Sequence, residues 1–189
     1  MTINEMKGKL EEVLSSKRFK HSLGVMDTAA SLAERHGEDR EKAAIAGLLH
    51  DCAREIKGQA VFDLCEKYHI NVDYITLAQP ELLHGPIGAV VAARDYGVED
   101  KDILSAIECH TTGRENMTLL DKIIFIADYI EPGRKFPGVD EVRELAYRDL
   151  DRSILVSLDN TIRYVMDKGV FIHPDTIFAR NFIIKENMR

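Results

Sequence analysis

The chain has 189 residues, 25 basic and 32 acidic, for a net charge of −7. Its apolar share of 45% excludes a disordered chain, and its length, a little above the roughly 150 residues of one domain, predicts a single domain spanning 1–189. The acidic balance gives no global attraction to a nucleic-acid polymer or an anionic membrane, and no apolar run approaches the roughly 18 residues of a membrane span.

The elements read as helices almost throughout. Ile3, Met6, Leu10, Val13 and Leu14 recur at helical spacing, and Thr2-x-x-Glu5 is a capping-box start. A second helix is predicted from about Lys17 to His36, stopping at Gly37. A third follows the N-cap Asp39 and runs through Leu49 to His50-Asp51. Shorter helices fit 58–68 and 72–78, another follows Pro86 to Tyr96-Gly97, and a further one spans Asp100 to His110. Thr118-x-x-Asp121 caps the most apolar segment, Leu119 to Ile130, a buried central helix stopped by Pro132-Gly133. Gly133 to Val139 reads as an irregular loop. Ile154, Leu155, Leu158, Ile162, Val165 and Met166 form one more stripe, closed by Gly169, and a last helix starts near Asp175. The fold class is all-α, one compact domain of nine or ten helices.

The polar N-terminus, Met1 to Met6, has no signal-peptide apolar core. The three cysteines, Cys52, Cys65 and Cys109, lack CxxC spacing and read as buried packing thiols. Both point to a reducing, cytoplasmic setting.

Four of the seven histidines and two aspartates carry the chemical signal. Asp128 interrupts the most apolar helix, and a carboxylate is rarely buried unless it is paired or ligates a metal. His50-Asp51 closes an apolar run, His21 lies inside a helix, His84 precedes Gly85-Pro86, and His110 ends a helix. The bland alternative for Asp128 alone is an Asp at the edge of a core helix paired with an Arg, and for His50-Asp51 one side chain facing the core while the other caps a helix or makes a surface hydrogen bond. Taken together, four His and two Asp supply imidazole and carboxylate donors for two adjacent divalent metals, with one carboxylate bridging and positions left open. His36 and His69 sit at helix C-termini, where they offset the dipole. His173 and Tyr129 read as structural.

The ordered set His21, His50-Asp51, His84, His110 and Asp128 resembles the HD superfamily of metal-dependent phosphohydrolases in its two-metal form. The stretches Arg18 to Val25, Leu49 to Arg54, His84 to Ala89, His110 to Arg114 and Ile126 to Arg134 resemble, more closely, the bacterial YqeK family of symmetrical bis(5′-nucleosyl)-tetraphosphatases. The resemblance implies cleavage of diadenosine tetraphosphate into two ADP, with two divalent metals as cofactors. The family is associated with iron, and manganese, cobalt, nickel or zinc also match the donor types. Carried over, His21, His50, Asp51 and Asp128 would hold one metal, and His84 and His110 the other, with Asp51 bridging. Asp51, His84, His110 and Arg54 would be catalytic. The partner implied is a nucleotide, and a homodimer is compatible with it.

A phosphoanhydride is kinetically protected by its own negative charge. Paired metals acidify water and neutralise the phosphoryl group under attack. Basic residues would help. Arg54 shares the His50 face if that helix continues past Ala53, and Lys57 follows one turn later. Lys20 adjoins His21, Thr111 and Thr112 offer hydroxyls, Gly113 lets backbone approach a ligand, and Arg134 would clamp the far phosphates. Arg114 and Arg143 complete the basic candidates, though such residues often form only weak surface pairs. An HD phosphohydrolase acting on another nucleotide, or a metal-stabilised scaffold, are the alternative functions.

Overall fold

The computed structural model describes residues 1–188, so Arg189, the end of the expected domain, lies outside the described residues. Eleven α-helices and one 3₁₀ turn follow one another with no strand among the described residues. α1 (Ile3–Val13) opens with the Thr2–Glu5 capping box. α2 (Ser16–His36) and α3 (Arg40–Leu49) are joined by a three-residue turn in which Asp39 accepts the Glu41 and Lys42 N–H groups. α4 (Gln59–Tyr68) and α5 (Tyr74–Ala78) are peripheral, and the 3₁₀ turn Pro80–Leu83 leads directly into α6 (His84–Tyr96). α7 (Lys101–Cys109), α8 (Leu119–Ile130), α9 (Val139–Arg148), α10 (Leu150–Asp167) and α11 (Pro174–Asn187) complete the chain.

The core forms around α8. Thr118 and Asp121 cap it reciprocally, and Ile123, Ile124, Ile126 and Ala127 are fully buried. A helix apolar on nearly every side must be enclosed by others, and α8 touches α2, α3, α7, α9 and α10. α6 closes on α7 beside the site because Gly85 has no side chain: a Cβ there would lie 2.5 Å from the Glu108 carbonyl oxygen.

Three boundaries differ from the expectation, and each bears on the site. The expected nine or ten helices become eleven among the described residues, with α9 occupying the stretch after the Gly133–Val139 loop. Its apolar face is only Val139, Val142 and Ala146, set among seven polar, bulky or partly exposed neighbours. α6 starts at His84 rather than after Pro86, since proline is tolerated in a helix's first turn. α3 ends at Leu49, and residues 51–55 are turns, so Arg54 does not share a helix face with His50.

Candidate metal centre

The last carbonyls of a helix have no partner within the helix. His50 and His110 stand at the C-caps of α3 and α7, and each uses its ring to satisfy one. His50 Nδ1 lies 2.7 Å from the Gly47 carbonyl oxygen, and His110 Nδ1 lies 2.7 Å from that of Ile107. His84, just past the 3₁₀ turn, does the same at 2.5 Å with Glu81. A carbonyl can only accept, so Nδ1 donates in all three and Nε2 is left to present a lone pair, with Arg54 Nη1 also standing 3.1 Å from His84 Nδ1. His21 lies inside α2, whose carbonyls serve the helix. Its Nδ1 faces the Glu131 carboxylate at 3.1 Å instead, and its Nε2 also turns inward.

The Nε2 atoms then meet in pairs. His21 and His50 approach to 3.2 Å, and His84 and His110 to 3.0 Å. Lone pairs facing one another at this range call for a cation between them. Asp51 lies between the pairs and divides its oxygens. Oδ2 is 3.8 Å from His21 Nε2 and 3.7 Å from His50 Nε2, while Oδ1 is 3.1 Å from His84 Nε2 and 3.9 Å from His110 Nε2. Asp128, on the last turn of α8, places Oδ1 3.0 Å from His21 Nε2 and 3.8 Å from His50 Nε2. All six expected ligands therefore come together from α2, the turn after α3, the start of α6, the end of α7, and α8. The donor set fits divalent first-row metals, which take imidazole and carboxylate readily.

Charge around the cluster is balanced by arginines. Arg18 Nη1 donates to Asp51 Oδ2 at 3.0 Å. Arg134 donates through Nε to the Asp128 carbonyl at 2.8 Å and through Nη2 to the Asp128 carboxylate. Arg54 Nη1 donates at 3.0 Å to the Glu81 carbonyl, the same oxygen that anchors His84. Two clefts flank the centre and share Arg18. One, of about 400 Å³, includes Arg54, Lys57, Glu81 and His84. The other, of about 830 Å³, includes Lys17, Lys20, His21, Arg134, Lys135 and Phe136.

The remaining expected residues are placed as follows. Lys20 and Lys57 are exposed on the cleft walls, Lys57 lying 3.7 Å from Glu55. Thr111 Oγ1 lies 3.4 Å from His110 Nε2. Thr112 donates to the Gly113 carbonyl at 2.9 Å. Gly113 adopts φ +68°, and its α-carbon faces Ala179 of α11, so its conformation also serves the turn and the packing. Arg114 bonds Asp121 and Ser105, tying this turn to α7 and α8. Arg143 donates to the carbonyls of Ile130, Glu131 and Arg134 and so holds the turn after α8. His36 bonds the Ala146 carbonyl, and His173 caps α11. The three cysteines are buried and free, with burial raising each thiol above its ordinary value. Sequence reasoning missed the direct contacts of Arg18 and Glu131. Both stand in stretches already singled out, next to the His21 and Asp128 motifs.

Burial holds His50 below the ordinary imidazole value and, with the adjacent His84 and His50 rings, pushes His110 down to about 3. Burial also opposes charge on His21, but the Asp128 and Glu131 carboxylates outweigh it and raise His21. Asp51 and Asp128 are likewise held low against burial, Asp51 by His50 and His84, and Asp128 by His21, His50 and Arg134. The linkage has a definite sign. The neutral His50 and His110 contribute stability above about pH 6.5 that is lost as pH falls, because only the unfolded chain then takes up their protons. The carboxylates add to that loss below about pH 4. His21 acts oppositely, its contribution being full below about pH 6.5 and lost as pH rises through its raised value. Two depressed histidines outweigh one raised. The urea midpoint of the chelator-treated chain is expected to be lower at pH 5 than at pH 7.5; a rise on acidification would show that the pairs are not held neutral.

The HD domain family matches residues 18–133, the span holding all six clustered residues. A symmetrical bis(5′-nucleosyl)-tetraphosphatase of Bacillus subtilis (strain 168) is 43% identical over 175 residues, which cover 93% of this chain and 94% of the relative. One of Staphylococcus aureus (strain NCTC 8325 / PS 47) is 39% identical over 96% of this chain and 94% of its own. A crystal structure from Clostridium acetobutylicum, described as a predicted HD superfamily hydrolase involved in NAD metabolism, superposes with a TM-score of 0.95 at 49% identity, over 98% of both chains. With the ordered His and Asp residues gathered in one helical centre and this similarity running the length of the chain, the protein belongs to the HD domain family, in the group that contains the symmetrical bis(5′-nucleosyl)-tetraphosphatases.

Proposed function

We propose that this chain, as one domain, hydrolyses dinucleoside tetraphosphates symmetrically and converts diadenosine tetraphosphate into two ADP. The observation that carries the reading is Asp51, which offers one carboxylate oxygen to the His21–His50 pair and the other to the His84–His110 pair. That arrangement suits two divalent cations, iron by the family resemblance. When bound, they would acidify water and neutralise phosphoryl charge. Water adds to one of the two central phosphorus atoms, and the bond from that phosphorus to the bridging oxygen breaks. The bond's electron pair leaves with the second ADP, already a stable anion, so a strong general acid is not required.

The chain's own residues orient the substrate. A tetraphosphate carries several negative charges, and Arg18, Arg54, Lys20 and Arg134 supply positive charge on both sides of the cluster. Because the two clefts meet at Arg18, a substrate with a nucleoside at each end would lay one half in each, its central anhydride over Asp51. Thr111 adds a hydroxyl 3.4 Å from His110 Nε2, and Thr112 would have to release the Gly113 carbonyl to offer a second. We place this activity in the cytoplasm, with a nucleotide rather than a nucleic-acid polymer or a membrane as partner.

The test is chromatography of the products formed from diadenosine tetraphosphate by iron-supplied protein under anaerobic conditions. ADP is expected as the only nucleotide product. Appearance of AMP with ATP, or no turnover by protein shown to contain metal, would overturn the reading.

A further inference from the structure

Glu131 lies at the end of α8, 5% exposed, and among the described residues His21 is the one ionisable side chain paired with it. One oxygen faces His21 Nδ1 at 3.1 Å, and the other accepts the Gly133 N–H at 2.5 Å. The space around it is cleared by two glycines. A Cβ on Gly24 would stand 2.7 Å from Glu131 Oε2, and one on Gly133 would stand 2.8 and 2.9 Å from its two oxygens. Gly24 is inside α2, where glycine costs about 1 kcal/mol relative to alanine. A helix that accepts this cost next to a buried carboxylate is keeping room for it.

We propose that Glu131 is a positioning residue for the metal centre, and that Gly24 and Gly133 are retained to seat its carboxylate. His21 is the one clustered histidine with no backbone carbonyl at Nδ1, so only Glu131 keeps the proton there and leaves the Nε2 lone pair facing Asp128 and His50. The carboxylate also makes the imidazole a stronger donor, as carboxylate partners of ligating histidines do. α9 supports the device from outside, since Arg143 fixes the turn carrying Glu131 by binding three of its carbonyls. The inference rests on the cation reading of the cluster.

Two readouts test it. The first is the His21 tautomer in the cation-free chain, read from long-range nitrogen–proton NMR couplings at pH 8.5. The second is Mn²⁺ affinity by chelator competition. Wild type is expected to hold the Nδ1–H tautomer. Glu131→Ala is expected to release it and weaken Mn²⁺ by about 10- to 100-fold. Glu131→Gln, which keeps an acceptor and guards against a folding failure, should retain the tautomer with a smaller loss of affinity. Gly24→Ala should weaken Mn²⁺ although it improves the helix, and should have no further effect when added to Glu131→Ala. Unchanged tautomer and affinity in Glu131→Ala would overturn the proposal, as would an equal Gly24→Ala loss with or without Glu131. If wild type bound no Mn²⁺, the cation reading would fail, while the tautomer readout would still decide whether Glu131 holds His21.

Discussion

Asp51→Ala is expected to lower the turnover of diadenosine tetraphosphate by more than about 10³-fold and to leave the purified protein without bound metal. The residue is 3% exposed and is the one side chain whose two oxygens lie against both histidine pairs. Removing it takes a charged donor from each half of the cluster and leaves the Arg18 guanidinium without its carboxylate. Asp51→Asn separates this from simple loss of packing. The amide fills nearly the same volume but presents oxygen to one pair and an NH₂ group to the other. It should therefore retain cation on one side at most and remain strongly impaired. Steady-state kinetics with metal analysis of the same samples provide the check. Substantial turnover by Asp51→Ala would sink the bridging role.

Adding Mn²⁺ or Fe²⁺ to the chelator-treated chain is expected to raise its unfolding midpoint by about 8–16 °C at a free concentration about 1,000 times the dissociation constant. A ligand binding only the folded state contributes about 4 kcal/mol under that condition. Each kcal/mol moves the midpoint by about 2–4 °C for a chain of this size. The cause is visible in the geometry. Without a cation, buried lone pairs converge on one another at 3.0 and 3.2 Å, while Arg18 and Arg134 reach the carboxylates of Asp51 and Asp128 rather than these nitrogens. A cation relieves both pairs. The shift should shrink between pH 7.5 and pH 5.5, because His21, held above the ordinary imidazole value by Asp128 and Glu131, takes a proton on a nitrogen the cation would need. Thermal scans with and without metal, at pH 7.5 and pH 5.5, read both effects. No shift at either pH would contradict the cation reading.

Much of this centre is legible in the amino-acid order because its ligands stand where local rules already mark helix ends. His50 and His110 follow apolar runs at the C-caps of α3 and α7, and Asp128 stands out as a charge in the most apolar helix. What stayed hidden depends on contacts across the chain. Glu131 meets His21 at a separation of 110 residues, and nothing local distinguishes it from any acidic residue after a helix. The clearances at Gly24 and Gly133 are equally non-local. Arg18 and Arg54 exchanged prominence for a similar reason. Once α3 ended at Leu49, Arg54 turned to the Glu81 carbonyl, while Arg18, on α2, reached Asp51 directly. α9 escaped notice because three buried residues make a weak stripe, although it carries the arginine that steadies the Glu131 turn.

The most direct test of the account is an anomalous-difference map from crystals of the manganese- or iron-loaded protein. Two peaks about 3.5–4 Å apart are expected, one beside His21, His50 and Asp128 and one beside His84 and His110, each bonded to a different oxygen of Asp51. A single peak, or two peaks that do not share Asp51, would contradict it.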